Sequence, residues 1–337
     1  MAVTQNKSRH RIESIDILKG IGILFMVFAH VGWGGGYAHT YIQAFHMPLF
    51  FIVSGYLWKQ KDIKSLFKRR FKTLLIPYIC FGVGYFVLFI LTGHTSSEIA
   101  NAVKALILYP TDMDHMPFAP ALWFLPCMFY VDIIYNFLLD KLGRNKGRII
   151  VLIISSVIIA WSCLSDIMLP FCIEPTGMGL VFWMVGDEIK NHTYYLKSVS
   201  DKKWLIIALF FFELILALVN GSCDMRSARY HNLILYLICA LIGVFVWYAL
   251  SVWIEFSSVK TIKFVKAGLL SIGIHSISYL CLNQILITTW KHFFEQSVSN
   301  TFSLVMERAG CYLFTMVCCY ILDKVIRHTP FKYILGR

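Results

Sequence analysis

The chain alternates long apolar runs with short polar breaks that are mostly basic. About 20 consecutive apolar residues suffice to cross a bilayer. Such runs recur at residues 13–33, 42–58, 73–92, 120–139, 149–165, 172–189, 204–219, 233–253, 267–290 and 302–323. The pattern predicts an all-α fold, a polytopic transmembrane helical bundle of about ten spans. The longest polar breaks, 59–72 and 93–119, are too short to fold alone, so residues 1–337 read as a single integral membrane domain. No repeat of fixed period stands out. Nor is there a matched pair of broken helices in two halves, the usual pointer to a secondary transporter.

Composition agrees with this reading: 58% of the residues are hydrophobic and 15% are charged, where a soluble domain carries roughly 25% charge. The net charge of +12 would by itself admit a nucleic-acid partner, but the placement of the charges argues for a membrane. With the N-terminus in the cytoplasm, only Lys104, Arg226, Arg229 and Lys291 fall on the outer side, and Lys19 and Arg308 lie within spans. All other Lys and Arg are cytoplasmic, as the positive-inside rule requires. The expectation is a multi-pass protein of the cell membrane (plasma or inner), with both termini cytoplasmic, in contact with lipids and not with nucleic acid. The basic start "MAVTQNKSRHRIES" could open a signal peptide. The apolar stretch after it has no small-x-small cleavage site before "GWGGG", so it is read as a retained first span ending in the outer turn Gly34-Gly35-Gly36.

The ten cysteines lie mostly inside apolar runs, with no CxxC pair and no Cys/His cluster at metal-ligand spacing. They read as packing residues, and no metal site is expected. Cys172 and Cys223 are both outer cysteines that could pair, although nothing in the sequence requires it. Asn220-Gly221-Ser222 matches a glycosylation sequon, which matters only in a eukaryotic secretory cell.

Two polar residues interrupt the first run, "LKGIGILFMVFAHVGWGGG": Lys19 near one end and His30 near the other. Eleven residues at about 100° each make three turns plus about 20°, so both project from one helix face, about 16 Å apart along the axis. Lys19 either snorkels to the headgroups or holds a functional charge. His30 either bonds to a neighbouring helix or acts chemically, as intramembrane ionisable residues do by default. The second run, "FHMPLFFIVSGYLWKQK", carries His46 near the outer end and Ser54-Gly55-Tyr56 near the inner end. Pro48 should kink this helix or free a backbone carbonyl, and Gly55 permits close approach of a helix or a ligand. The basic loop Lys68-Arg69-Arg70 follows, then Pro77-Tyr78 in the third run.

This combination resembles the acyltransferase 3 family of integral membrane acyltransferases, and most of all its fucose 4-O-acetylase-like branch. Lys19 and His30 match the family's first-span pattern of a basic residue, ten intervening residues and a histidine. "FHMPLFFIVSGYL" is similar to its second-span signature. "RRFKTLLIPY" is similar to its basic loop and proline, "ALWFLPCMF" to its Trp-Phe-Leu segment, and "LLSIGIHSISYLCLNQ" to its late Gly/Ser-containing span. Two positions depart from the pattern. Lys19 stands where the family usually has arginine, which replaces a forked contact by a point charge. Asn283 stands where many members have histidine, and an amide carries no proton at neutral pH.

Depth in the bilayer sorts the polar residues into two layers. The inner layer holds Lys19, Ser54, Gly55, Arg69, Arg70 and Tyr78, a cationic set suited to phosphates. The resemblance implies acyl-CoA as its ligand, with acetyl-CoA as donor. The outer layer holds His30, His46, Trp123, Asn283, Glu307 and Arg308, a set that suits a carbohydrate acceptor. Acyl transfer from a thioester to a hydroxyl needs a base and a donor for the oxyanion. His30 is the expected base, and His46 either assists it or binds the acceptor. Trp123 is read as either an interfacial belt residue or a sugar platform, and Glu307-Arg308 as either an interfacial ion pair or a support for a histidine. Asp132 and Glu213 should face the bundle interior, whereas His39, His94, His115, His231 and His292 are expected to be solvated.

The expected function is a membrane O-acyltransferase, acetyl being the expected group, whose acceptor is a cell-surface glycan or its lipid-linked precursor. Two other readings stay open: a transporter or flippase for such a glycan, and a non-catalytic partner in polysaccharide export.

Overall fold

The computed structural model describes residues 11–32, 36–116, 118–192, 199–294 and 301–336. The basic start of the chain before Arg11, and Gly34-Gly35 of the expected outer turn, lie outside the described residues. The described chain is helical, with one isolated bridge between Asp224 and Arg229. Each of the ten apolar runs falls on a helix, but the helices are of two kinds.

Five are long and apolar enough to cross a bilayer on composition alone. One is a continuous run of residues 63–91, built from α3 (Ile63–Arg70), a π-helical turn (Phe71–Leu75) and α4 (Ile76–Leu91). The others are α7 (Arg144–Leu164), α9 (Lys203–Asn220), α10 (Leu233–Phe256) and α13 (Thr301–Arg327). The run 267–290, expected as one span, is instead a pair of helices, α11 (Lys260–Ile274) and α12 (Ser276–Phe294), bent by 86° at His275. Counted as one broken span, the pair brings the total to six.

The other four runs form α1 (Glu13–His30), α2 (Tyr37–Tyr56), α6 (Phe124–Leu142) and α8 (Ile173–Ile189), and these make the interior. Twelve of the 18 residues of α1 are buried, against three of 21 in α7. A helix that lipid does not touch needs no apolar residue on every face, because neighbouring helices meet its polar groups. That is why α1 can carry Glu13, Asp16 and Lys19 within its first two turns. The amphipathic α5 (Ser96–Leu108) is not one of the apolar runs. It starts with a capping box in which Thr95 and Glu98 satisfy each other's backbone N–H groups.

Glycine sets the closest interior contacts. α2 packs on α8 with Gly55 against the backbone of Trp183 and Gly186 against the backbone of Ile52. α1 packs on α11 in the same reciprocal way, Gly20 against Leu269 and Gly273 against Asp16. A Cβ at any of the four would collide with a main-chain carbonyl, which cannot rotate away.

At one end of the bundle four buried aspartates are each met by a cation. Asp16 pairs with Lys19, and Asp132 with Arg70. Asp187 accepts from the Tyr135 hydroxyl at 2.8 Å and pairs with Arg144 and Arg148. Asp323 pairs with Arg327 at 2.8 Å.

Two possibilities left open for the opposite end are not realised. All ten cysteines are free: Cys172 turns its Sγ to the carbonyl of Trp123, and Cys223 takes the amide of Asn220. Asn220 is itself buried, and its Oδ1 accepts the N–H of Asn232, so it is not presented as a glycan acceptor.

Two substitutions test this frame. Gly55→Ala should lower the thermal midpoint of the detergent-solubilised protein, with about 1–3 kcal/mol of overpacking. Gly84→Ala, in α4 with nothing within 4 Å of the added carbon, should leave it unchanged or raise it. Arg70→Ala should strand the buried Asp132 carboxylate at a cost of about 3–5 kcal/mol and reduce folded yield. Adding Asp132→Asn should recover much of that loss in the same thermal assay.

Candidate active site

The C-terminal end of α1 and the middle of α2 present His30 and His46 to one cavity of about 230 Å³. Met26 and Ala29 of α1, and His39, Gln43 and Met47 of α2, line it with them. The loop before α6 adds Met113, Ala121 and Trp123, the loop before α10 adds residues 223–226, and α12 adds Leu280. This volume lies below the roughly 300–1,000 Å³ of sites for drug-sized ligands, so it suits one small group.

Hydrogen bonds fix the tautomers of both histidines. Asn283 is fully buried on α12 and donates through Nδ2 to the carbonyls of Tyr279 at 3.0 Å and Leu280 at 2.7 Å. Carbonyls only accept, so the amide has one orientation and its Oδ1 faces His30 Nδ1 at 3.1 Å. Oδ1 also only accepts, so Nδ1 carries the hydrogen and Nε2 of the neutral ring holds the lone pair. His46 Nδ1 donates to the carbonyl of Ile42 at 2.8 Å, which leaves its Nε2 in the same state. Two imidazoles with basic nitrogens uncommitted to the protein therefore line one chamber.

A residue the sequence reading passed over supports Asn283. The hydroxyl of Tyr85, on α4, donates to the carbonyl of Cys281 at 2.7 Å and accepts the N–H of Ile285 at 3.0 Å. An unbroken helix joins those two groups directly. The hydroxyl inserts into the ladder of α12 at the turn that carries Asn283, and such insertions bend helices. No one-dimensional signal marks Tyr85, because its role exists only through a helix 196 residues away in sequence.

The residues of the expected outer layer do not all share this chamber. His30, His46 and Trp123 line it and Asn283 supports it. Glu307 instead accepts the indole N–H of Trp290 at 2.8 Å. Neither Glu307 nor Arg308 is among the cavity's lining residues. His39, expected to be solvated, is half-buried in the cavity wall. Gln43, Asp224 and Arg226 are further polar lining residues that the sequence reading passed over. One signal could have singled out Arg226: it is one of the few cations on the side of the chain that the charge asymmetry leaves nearly empty.

The expected inner layer is dispersed among different neighbours. Lys19 pairs with Asp16 one turn back on α1, whereas Arg70 reaches Asp132 on α6. Tyr78 donates to the carbonyl of Leu106, and Gly55 is filled by α8 and not by a ligand. Ser54 and Arg69 are half-buried. Asp132 and Glu213 both face the interior, as expected. Glu213 sits against Gly243, and neither of its oxygens makes a hydrogen bond of ordinary geometry.

No curated protein and no solved structure matches the chain. The family model described as an acyltransferase domain, acyltransferase 3, matches residues 12–324. That match takes in every helix that forms the chamber, and the chain belongs to the acyltransferase 3 family of membrane acyltransferases.

Proposed function

We propose that the chain transfers an acyl group, acetyl in the simplest case, from cytosolic acyl-CoA to a hydroxyl of a cell-surface glycan or its lipid-linked precursor. The observation that carries this reading is the His30–Asn283 hydrogen bond, which leaves a basic Nε2 at the wall of a small chamber. In this reading the end with the paired carboxylates is cytoplasmic, the ten helical runs all cross the plasma or inner membrane, and both termini stay inside. The likeness of "FHMPLFFIVSGYL" to the fucose 4-O-acetylase-like branch supports a sugar hydroxyl as acceptor.

The chemistry follows from the tautomer. His30 Nε2 takes the hydroxyl proton as the oxygen attacks the thioester carbonyl, and the C–O bond forms. The tetrahedral intermediate collapses with cleavage of the C–S bond. The imidazolium then returns the proton to the departing sulfur, so an ester and a free thiol result. Asn283 acts as a positioning residue, holding the ring so that Nε2 and not Nδ1 meets the substrate. Lys19, on the same helix face three turns away, would exchange its pairing with Asp16 for the phosphates of the donor.

His30→Ala should lower acyl transfer by about a hundred- to ten-thousand-fold, far more than its effect on folding, a loss of about 1–3 kcal/mol from the buried Asn283 acceptor left unpaired. Unchanged transfer would remove His30 from the mechanism. Asn283→Leu should reduce kcat far more than Asn283→Gln, which keeps both an acceptor for Nδ1 and an NH2 donor for the helix carbonyls. Equal losses in the two would refute the tautomer argument. For the donor, Lys19→Ala should raise KM for acetyl-CoA about tenfold, with recovery in Lys19→Arg. A KM unmoved by Lys19→Ala would place the phosphates elsewhere.

A further inference from the structure

Arg226 is 5% exposed, yet among the described residues no carboxylate pairs with it directly, and Asp224 and Asp112 act on its charge only through space. Its Nε donates to the carbonyl of Thr111 and its Nη2 to the carbonyl of Asp112, both at 3.1 Å. Those partners are neutral main-chain oxygens, so they hold the guanidinium in place without balancing its charge. Nη1 has no partner among the described residues, and the side chain lines the chamber of His30 and His46.

The nearby carboxylates are committed elsewhere. Asp224, in the same cavity wall, accepts the N–H of Arg226 at 2.9 Å and the hydroxyl of Ser227 at 2.7 Å, both within its own turn. Asp112 accepts from Asp114 N–H at 2.9 Å and His115 N–H at 3.2 Å through Oδ1, and from His115 Nδ1 at 2.8 Å through Oδ2. Burial alone would raise the Asp112 carboxyl, but its bonds from His115 and Asp114 hold it below the usual carboxylate value. The contrast with the other end of the bundle is sharp: there Asp16, Asp132, Asp187 and Asp323 each meet a cation.

A guanidinium is always protonated, and a buried charge without its counter-charge is unstable unless a ligand completes it. A fork held by two of its donors is also preorganised for an anion with two oxygens. We propose that Arg226 recognises an anionic group on the acceptor, a sugar carboxylate or the phosphate that links a sugar to its lipid carrier. The proposal rests on the acyl-transfer reading of this chamber and adds to it the class of acceptor: an acidic glycan or a glycosyl phosphate. Arg226 is then a specificity residue, and its bonds to Thr111 and Asp112 tie the loop before α6 to the acceptor site.

The test is binding to the purified full-length protein in detergent, by titration calorimetry, of methyl glucuronide, glucose 1-phosphate and neutral methyl glucoside. At least one anion should bind about tenfold more tightly than the neutral sugar, and raising NaCl from 50 to 500 mM should weaken it. A preference for the uronate points to an acidic sugar, and one for the phosphate to a lipid-linked precursor. Arg226→Gln should abolish the preference while leaving neutral-sugar binding in place, a selectivity that loss of a structural tie would not produce. Should that variant fail to fold, Arg226→Lys should keep a reduced preference, because the charge stays and the fork is lost. No anion preference in the parent, or the same preference in the variants, overturns the proposal. Acyl transfer from acetyl-CoA is followed in parallel. Anion binding without transfer would leave this site standing and remove the proposed chemistry, whereas transfer with no anion preference would do the reverse.

Discussion

An imidazole inside an apolar bundle must find its hydrogen-bond partner within the protein, since lipid offers none. Asn283 is that partner for His30, and most of the architecture around the chamber serves the contact. The amide is held by two carbonyls of its own helix, the helix is opened by the Tyr85 hydroxyl, and the 86° bend at His275 sets the direction in which α12 leaves α11. The substitution of asparagine for the histidine common in the family then has a plain physical meaning. It gives up a second titratable group, and in return the amide has one orientation and imposes one tautomer on His30.

The segregation of helices follows from the same constraint. Outer helices such as α7, α9 and α13 meet lipid with apolar side chains, and few of their residues are buried. The inner helices α1, α2, α6 and α8 are shielded, so they can carry the aspartates, histidines and glycines that would be costly against hydrocarbon. Reciprocal glycines bring α2 onto α8 and α1 onto α11 with backbones in contact. That closeness carries α1 and α2 side by side to the chamber, where His30 and His46 share one wall.

The two ends of the bundle differ in electrostatics. At one end each buried carboxylate named above is neutralised by Lys or Arg, which makes that end a structural clamp. Arg70 illustrates the point: on sequence grounds it belongs to a phosphate site, but the fold commits it to Asp132. At the other end Arg226, deeply buried, is braced by main-chain carbonyls and has no directly paired carboxylate among the described residues. Two imidazoles and a buried guanidinium without a directly paired carboxylate therefore share one chamber wall.

Much of this was legible in one dimension. Hydropathy marked a helix or bent helix pair at each of the ten runs, because a long apolar stretch is a property that local sequence displays. The eleven-residue step from Lys19 to His30 put both on one face, because helical periodicity is a local property. Other features depended on the tertiary structure. Whether a run faces lipid or the interior depends on its neighbours, and 267–290 looks like one span although it bends at His275. Glu307 matched the outer layer by depth but bonds to Trp290, since depth says nothing of azimuth around the bundle. His39, Tyr85 and Arg226 gain their places from chain segments far away in sequence, through hydrogen bonds and packing that no local pattern encodes. The sequence by itself determined the bundle and the two histidines at one end of it. Only the packing of helices decided which nitrogen of His30 is basic, and that Arg226 is buried with no directly paired carboxylate among the described residues.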